Sequence, residues 1–164
     1  MTNKSPFLVI QDFISPETAI KLASKIRLEP SLNDEGIPSS IEKYNLEEES
    51  QIFEQFKSHM PNVEKHYDMK IRGVEHLLFQ QFPVTNEPAE QPQCGNSVFK
   101  RKKWIKVKDR DLTGILWLKD YQDKQPFSLY SEVYGGKLEF KVFNFSFQPQ
   151  AGSLVLFPAV PNFI

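Results

Sequence analysis

A change of texture near residue 70 sets the strongest limit on what this chain can become. Beyond it run "GVEHLLFQQF" (73–82), "KKWIKVK" (102–108), "LTGILWL" (112–118), "EVYGGKLEF" (132–140), "FSFQ" (145–148) and "SLVLF" (153–157). Each is a short apolar or alternating stretch, and turn-prone residues separate them, which is the pattern of consecutive strands. The order is one strand, two helices, then six or seven strands. That order predicts an α+β domain in which two N-terminal helices back a sandwich or jelly roll. A length of 164 residues suits one domain with one sizeable core. Within it, residues 1–69 would be the strand and helical support and 70–164 the jelly-roll core. Gly135–Gly136 reads as a tight turn or bulge before "KLEF".

The first part is legible piece by piece. "FLVIQDF" (7–13) reads as a strand and "SPETAIKLASKI" (15–26) as a helix. Ser15 can cap it, Pro16 suits its first position, and Glu17 and Thr18 follow in the first turn. Ile20, Leu22, Ala23 and Ile26 are its expected buried face. Residues 29–40 read as a loop. "LEEESQIFEQFKSHM" (46–60) is expected to be a second helix, with Ile52, Phe53, Phe56 and Met60 on one side. Glu47, Glu48 and Glu49 favour its start through the helix dipole, and Pro61 is expected to end or bend it.

Hydrophobic residues make up 40% of the chain and charged ones 25%, the balance of a soluble globular protein. No apolar run approaches the ~20 residues a bilayer requires. The start "MTNKSPFLVI" has no signal-peptide core, so the cytoplasm is the expected location. The lone Cys94 rules out an internal disulfide. Net charge is −1 but unevenly spread. Residues 1–99 carry 9 Lys and Arg against 15 Asp and Glu, and residues 100–164 carry 11 against 6. Seven of the eleven residues in "KRKKWIKVKDR" (100–110) are basic. On a strand, Trp104, Lys106 and Lys108 share one face, with Ile105 and Val107 on the other. Lys100, Arg101, Lys102, Lys103, Lys106 and Lys108 then suit a nucleic-acid surface. They equally suit a solvated strand that discourages edge pairing.

Three segments, "RDLTGILWL" (110–118), "YGGKLEF" (134–140) and "PQAGSLVLFPAVPNFI" (149–164), occur in an order that resembles one family. This is the Fe(II)- and 2-oxoglutarate-dependent dioxygenases of the prolyl 4-hydroxylase type, in the short form that bacteriophages encode. The opening "FLVIQDFISPETAIKLASKI" is similar to that family's first strand and helix. The resemblance implies a double-stranded β-helix whose mouth holds iron on two His and one carboxylate. It places His-x-Asp after the first core strand and a second His after the "GSLVLFP" strand.

On that pattern the His-x-Asp falls on Gln93-Cys94-Gly95 and the distal His on Asn162. The tyrosine that holds the cosubstrate falls on Phe82, and the chain ends at Ile164 before a basic cosubstrate residue and the final strands. Gln93, Gly95 and Asn162 are therefore vacated ligand positions, since amides are weak ligands for Fe(II) and glycine offers no donor. Related halogenases lose only the Asp, which chloride replaces; here both His are absent too. The resemblance thus implies a degenerate oxygenase without a cofactor, kept as a binding module. Its cleft would be lined by Phe82, Gln93, Asn96, Trp117 and Asn162, for a peptide, a protein or a small polar ligand. An active peptidyl hydroxylase using Fe(II) and 2-oxoglutarate, with ligands elsewhere, stays open. So does a homo-oligomer formed by pairing of edge strands.

Other candidates have plain readings. "HYD" (66–68) is a literal His-x-Asp, but it precedes the expected ligand corner, and His66 reads as structural. His59 reads as a surface residue of the second helix. His76, in phase with Val74 and Leu78, reads as a hydrogen-bonded sheet histidine. Cys94 reads as an ordinary free thiol, because one sulfur without a second strong ligand makes a poor metal site.

Overall fold

A computed structural model describes residues 4–25, 47–75, 77, 96–121 and 137–160. Seven strands and two α-helices lie among them: β1 (Leu8–Ile10), α1 (Pro16–Lys25), α2 (Glu47–Tyr67), β2 (Ser97–Lys100), β3 (Lys103–Lys106), β4 (Leu112–Leu116), β5 (Leu138–Phe140), β6 (Phe145–Phe147) and β7 (Leu154–Pro158). The expected class of mixed helix and sheet is present. All pairings are antiparallel, in one three-stranded sheet of order β1-β7-β4 and two hairpins, β2-β3 and β5-β6. Among the described residues none of these sheets closes on itself.

β7 sits at the centre, and its sequence explains why. Leu154, Val155, Leu156 and Phe157 are all buried, so the strand is covered on both faces and reads as an unbroken apolar run. Leu154 and Leu156 point to a helical layer that includes Phe13, Ala19, Leu22, Ile52 and Val63. Val155 and Phe157 point the other way, into a cluster with Phe7, Phe140 and, from partly buried positions, Ile115, Trp117, Phe145 and Phe147. The molecule is thus layered as helices, three-stranded sheet and β5-β6 hairpin. Many of the chain's 14 Phe residues are used between the last two layers.

α1 starts where the sequence indicates. The Thr18 N–H donates to Ser15 Oγ at 3.1 Å, a side-chain cap. Its buried face is corrected in part, since Leu22 is buried as expected and Ala23 is half-buried. Ala19 and Leu22 are buried, whereas Ile20 is 54% exposed. One residue is about 100° of rotation on a helix, and docking through Ala19 and Leu22 carries Ile20 out to solvent. Ile26 lies outside the described residues.

α2 is also longer than expected, since it passes through Pro61 and ends at Tyr67. Proline deprives the Lys57 carbonyl of its helical partner. Lys57 and Pro61 are both exposed, so water can take that partner's place. Asp68, just past the helix, has a left-handed φ of 52°, and the Met69 N–H donates back to the Glu64 carbonyl at 3.2 Å. That is a Schellman closure. Glu64 also organises the chain just beyond the helix: its carboxylate accepts from Lys70 Nζ at 2.8 Å and from the Ile71 N–H at 3.0 Å. The Lys70 hydrogen bond, helped by that of Ile71, holds the Glu64 carboxyl below its usual range. A carboxyl lowered in the folded state stabilises the fold above its unfolded pKa, and that contribution is lost as pH falls through the folded value. Glu64→Gln should therefore lower the urea midpoint at neutral pH and reduce its decline on acidification below about 4.5.

Candidate functional site

The expected site residues divide sharply. Phe82, Gln93, Cys94, Gly95 and Asn162 lie outside the described residues, as does His76. Of "GVEHLLFQQF", only Gly73, Val74, Glu75 and Leu77 are described, and 73–75 are not a strand. Asn96 and Trp117 are described, and both are tied into the framework.

Asn96 is buried at the foot of the β2-β3 hairpin. Its carbonyl accepts the N–H groups of Val107 at 2.8 Å and Lys108 at 3.1 Å. Its side-chain nitrogen donates to the Arg110 carbonyl at 3.2 Å, and its side-chain oxygen accepts from Ser97 Oγ at 2.7 Å. Its own N–H donates to the Ala159 carbonyl at 3.1 Å, and the Ala159 N–H donates to the Asp111 carbonyl at 2.9 Å. One end of the central sheet therefore gathers the lead-in to β2, the lead-in to β4 and the exit from β7. Arg110 adds an ion pair to Glu75.

Trp117 stands half-buried on the aromatic side of the sheet, 5.2 Å from the Phe147 ring. Its N–H donates to the Ser153 carbonyl at 3.0 Å and its carbonyl accepts the Gly152 N–H at 2.8 Å. Two polar groups here are not flagged by sequence pattern. Thr113 faces Phe157 across the β4-β7 pair, and its buried Oγ1 has no hydrogen-bond partner among the described residues. Its place in a short apolar strand is legible in the sequence; its isolation is not. Asp120 Oδ1 accepts the Ala151 N–H at 2.8 Å and so fixes the turn before β7.

His66 and Tyr67 of the "HYD" stretch lie in the last turn of α2, and Asp68 follows it directly. His66 Nε2 lies 2.9 Å from the Ser5 carbonyl oxygen, and the Tyr67 hydroxyl donates toward the carbonyls of Pro6 at 3.1 Å and Leu156 at 2.7 Å. Burial disfavours the phenolate and pushes the Tyr67 pKa well above the usual phenol range. The structural reading of His66 fits these contacts. His59 is half-buried, its ring 5.5 Å from that of Phe13, and is not simply a surface residue.

The basic segment forms the β2-β3 hairpin. Ile105 and Val107, on the face opposite Trp104, are 38% and 55% exposed. Lys106 Nζ pairs with Asp109 at 2.8 Å. That contact raises the Lys106 pKa and lowers that of Asp109. Among the described residues no group of three or more His, Cys, Asp or Glu is placed to hold a metal ion, and no helix is long and apolar enough to cross a membrane. Comparison of the chain with protein-family models, curated proteins and solved structures finds no match.

Proposed function

We propose that this chain is a jelly-roll relative of the Fe(II)/2-oxoglutarate dioxygenases that has given up the metal centre and serves as a binding module for a peptide, protein or small polar ligand. The observation that carries this reading is the hydrogen bond from the Asn96 N–H to the Ala159 carbonyl. Gln93-Cys94-Gly95 lead directly into Asn96, and Asn162 follows Ala159 by three residues. The described residues beside the two segments that the resemblance assigns to the ligand corner are thus hydrogen-bonded to each other. A helical layer on one face of the central sheet and a second antiparallel pair on the other also support a jelly-roll architecture. The donor set does not fit Fe(II). Oxygen-activating iron is held by imidazole and carboxylate, and these positions offer two neutral amides and a glycine.

An anaerobic titration with Fe(II) and 2-oxoglutarate tests the reading. The natural chain should take up no stoichiometric Fe(II). A variant carrying Gln93→His, Gly95→Asp and Asn162→His should gain such binding, because it restores the donors at the proposed corner. Stoichiometric Fe(II) on the natural chain, or none on a folded triple variant, would overturn the reading. Succinate release by the natural chain would assign the active hydroxylase instead.

A further inference from the structure

The β2-β3 hairpin carries charge that the described fold does not use. Lys100, Arg101, Lys102 and Lys103 follow one another through its tip, and all four are exposed. None has a carboxylate within ion-pair distance among the described residues. Lys106, further down the strand, is already paired with Asp109.

The turn geometry makes those identities informative. Lys100 pairs with Lys103 across a loop of two residues, Arg101 and Lys102, whose φ angles are 50° and 64°. A loop of this hand favours Asn-Gly, because at positive φ a Cβ crowds the following carbonyl oxygen, a strain that Gly lacks and Asn tolerates best. Here the two positions hold long cations, against local conformational preference. Strain of this kind gathers where a residue is needed for something other than stability. The foot of the hairpin is fixed by the Asn96 hydrogen bonds to Val107, Lys108, Arg110 and Ala159. The tip is therefore a braced arm.

We propose that this arm docks on the phosphate backbone of a nucleic-acid duplex through Lys100, Arg101, Lys102 and Lys103. A two-stranded ribbon is of a size to enter a major groove about 12 Å wide. Four adjacent cations can then meet phosphates on its walls. A single strand would need an open stacking platform. Trp104, the nearest aromatic with a described side chain, is half-buried and already engaged. Residues 1–99 carry six more acidic than basic residues, so the footprint stays confined to the arm. This assignment concerns a surface separate from the ligand corner and stands independently of it.

The test is fluorescence anisotropy of the full chain with a labelled DNA duplex of mixed sequence. Four neutralised phosphates give a log–log salt slope of about −3.6, so affinity should fall roughly a hundredfold between about 50 mM and 200 mM salt. The double variant Arg101→Asn, Lys102→Gly should halve that slope and weaken binding about a hundredfold at about 50 mM salt. Its urea midpoint should rise, because the turn relaxes. Absence of duplex binding at low salt, or an unchanged slope in the variant, would overturn the proposal. So would competition by polyglutamate or by anionic phospholipid vesicles as strong as that by unlabelled duplex, since the arm would then recognise negative charge of another class.

Discussion

Gly152→Ala should destabilise the protein by roughly 3 kcal/mol or more, read as a large fall in the urea midpoint. Two independent costs add. Gly152 has φ of 85°, and a left-handed non-glycine residue costs about 1–2 kcal/mol. A Cβ at this position would also stand 2.1 Å from the Ile14 carbonyl oxygen, which is backbone and cannot swing aside. The crowding arises because Gly152 is where three chain segments meet. Its N–H donates to the Trp117 carbonyl at 2.8 Å, and its carbonyl accepts the Ile14 N–H at 3.2 Å. Relief of the clash would have to break the contacts that hold β1's exit, β4's exit and β7's lead-in together. Gly73→Ala is the control, since a Cβ there meets nothing within 4 Å. If the two variants unfold at the same urea concentration, the crossing is not as tight as described.

Phe7→Ala should cost about 3–5 kcal/mol, the range for removing a buried aromatic side chain. Phe7 is 5% exposed and lies between the sheet and the β5-β6 layer. Its ring stacks on Phe145 at 3.9 Å, tilts against Phe140 at 4.8 Å and meets Phe143 edge-on at 5.6 Å. Phe157 closes the group from β7 at 6.4 Å. One side chain thus joins the lead-in of β1, the β5-β6 hairpin and the central strand. Truncation should do more than lower overall stability. Amide exchange over residues 138–147 should accelerate beyond that of α1, because the hairpin loses its anchor while the helical face keeps its own core. Uniform acceleration in both regions would show that the two faces of the sheet do not behave as separate layers.

The proposed ligand-corner residues are open to reading only through a resemblance, and the reason is physical. A metal site is made of side chains brought together from distant parts of a chain, and local pattern records no such meeting. For Asn96 the sequence offers a polar residue beside a turn-rich stretch. Its role in joining Val107, Lys108, Arg110 and Ala159 rests on contacts up to 63 residues away. The "HYD" stretch shows the same limit from the other side. Its spacing suggests metal ligands, and only its position along the chain favours a structural role. The Tyr67 hydrogen bond that explains it spans 89 residues.

The local events are written in neighbouring residues. Ser15 and Pro16 start α1, and short apolar runs bounded by turn-prone residues mark β4 and β7 as strands. Each is written over a handful of neighbouring residues, where capping and side-chain period act directly. Long-range packing places β7 between β1 and β4, turns Ala19 of α1 inward with Ile20 outside, and lets α2 continue past Pro61. Those outcomes depend on which surfaces meet and which carbonyls reach water. Such balances are set between segments far apart in the chain and leave no short-range trace.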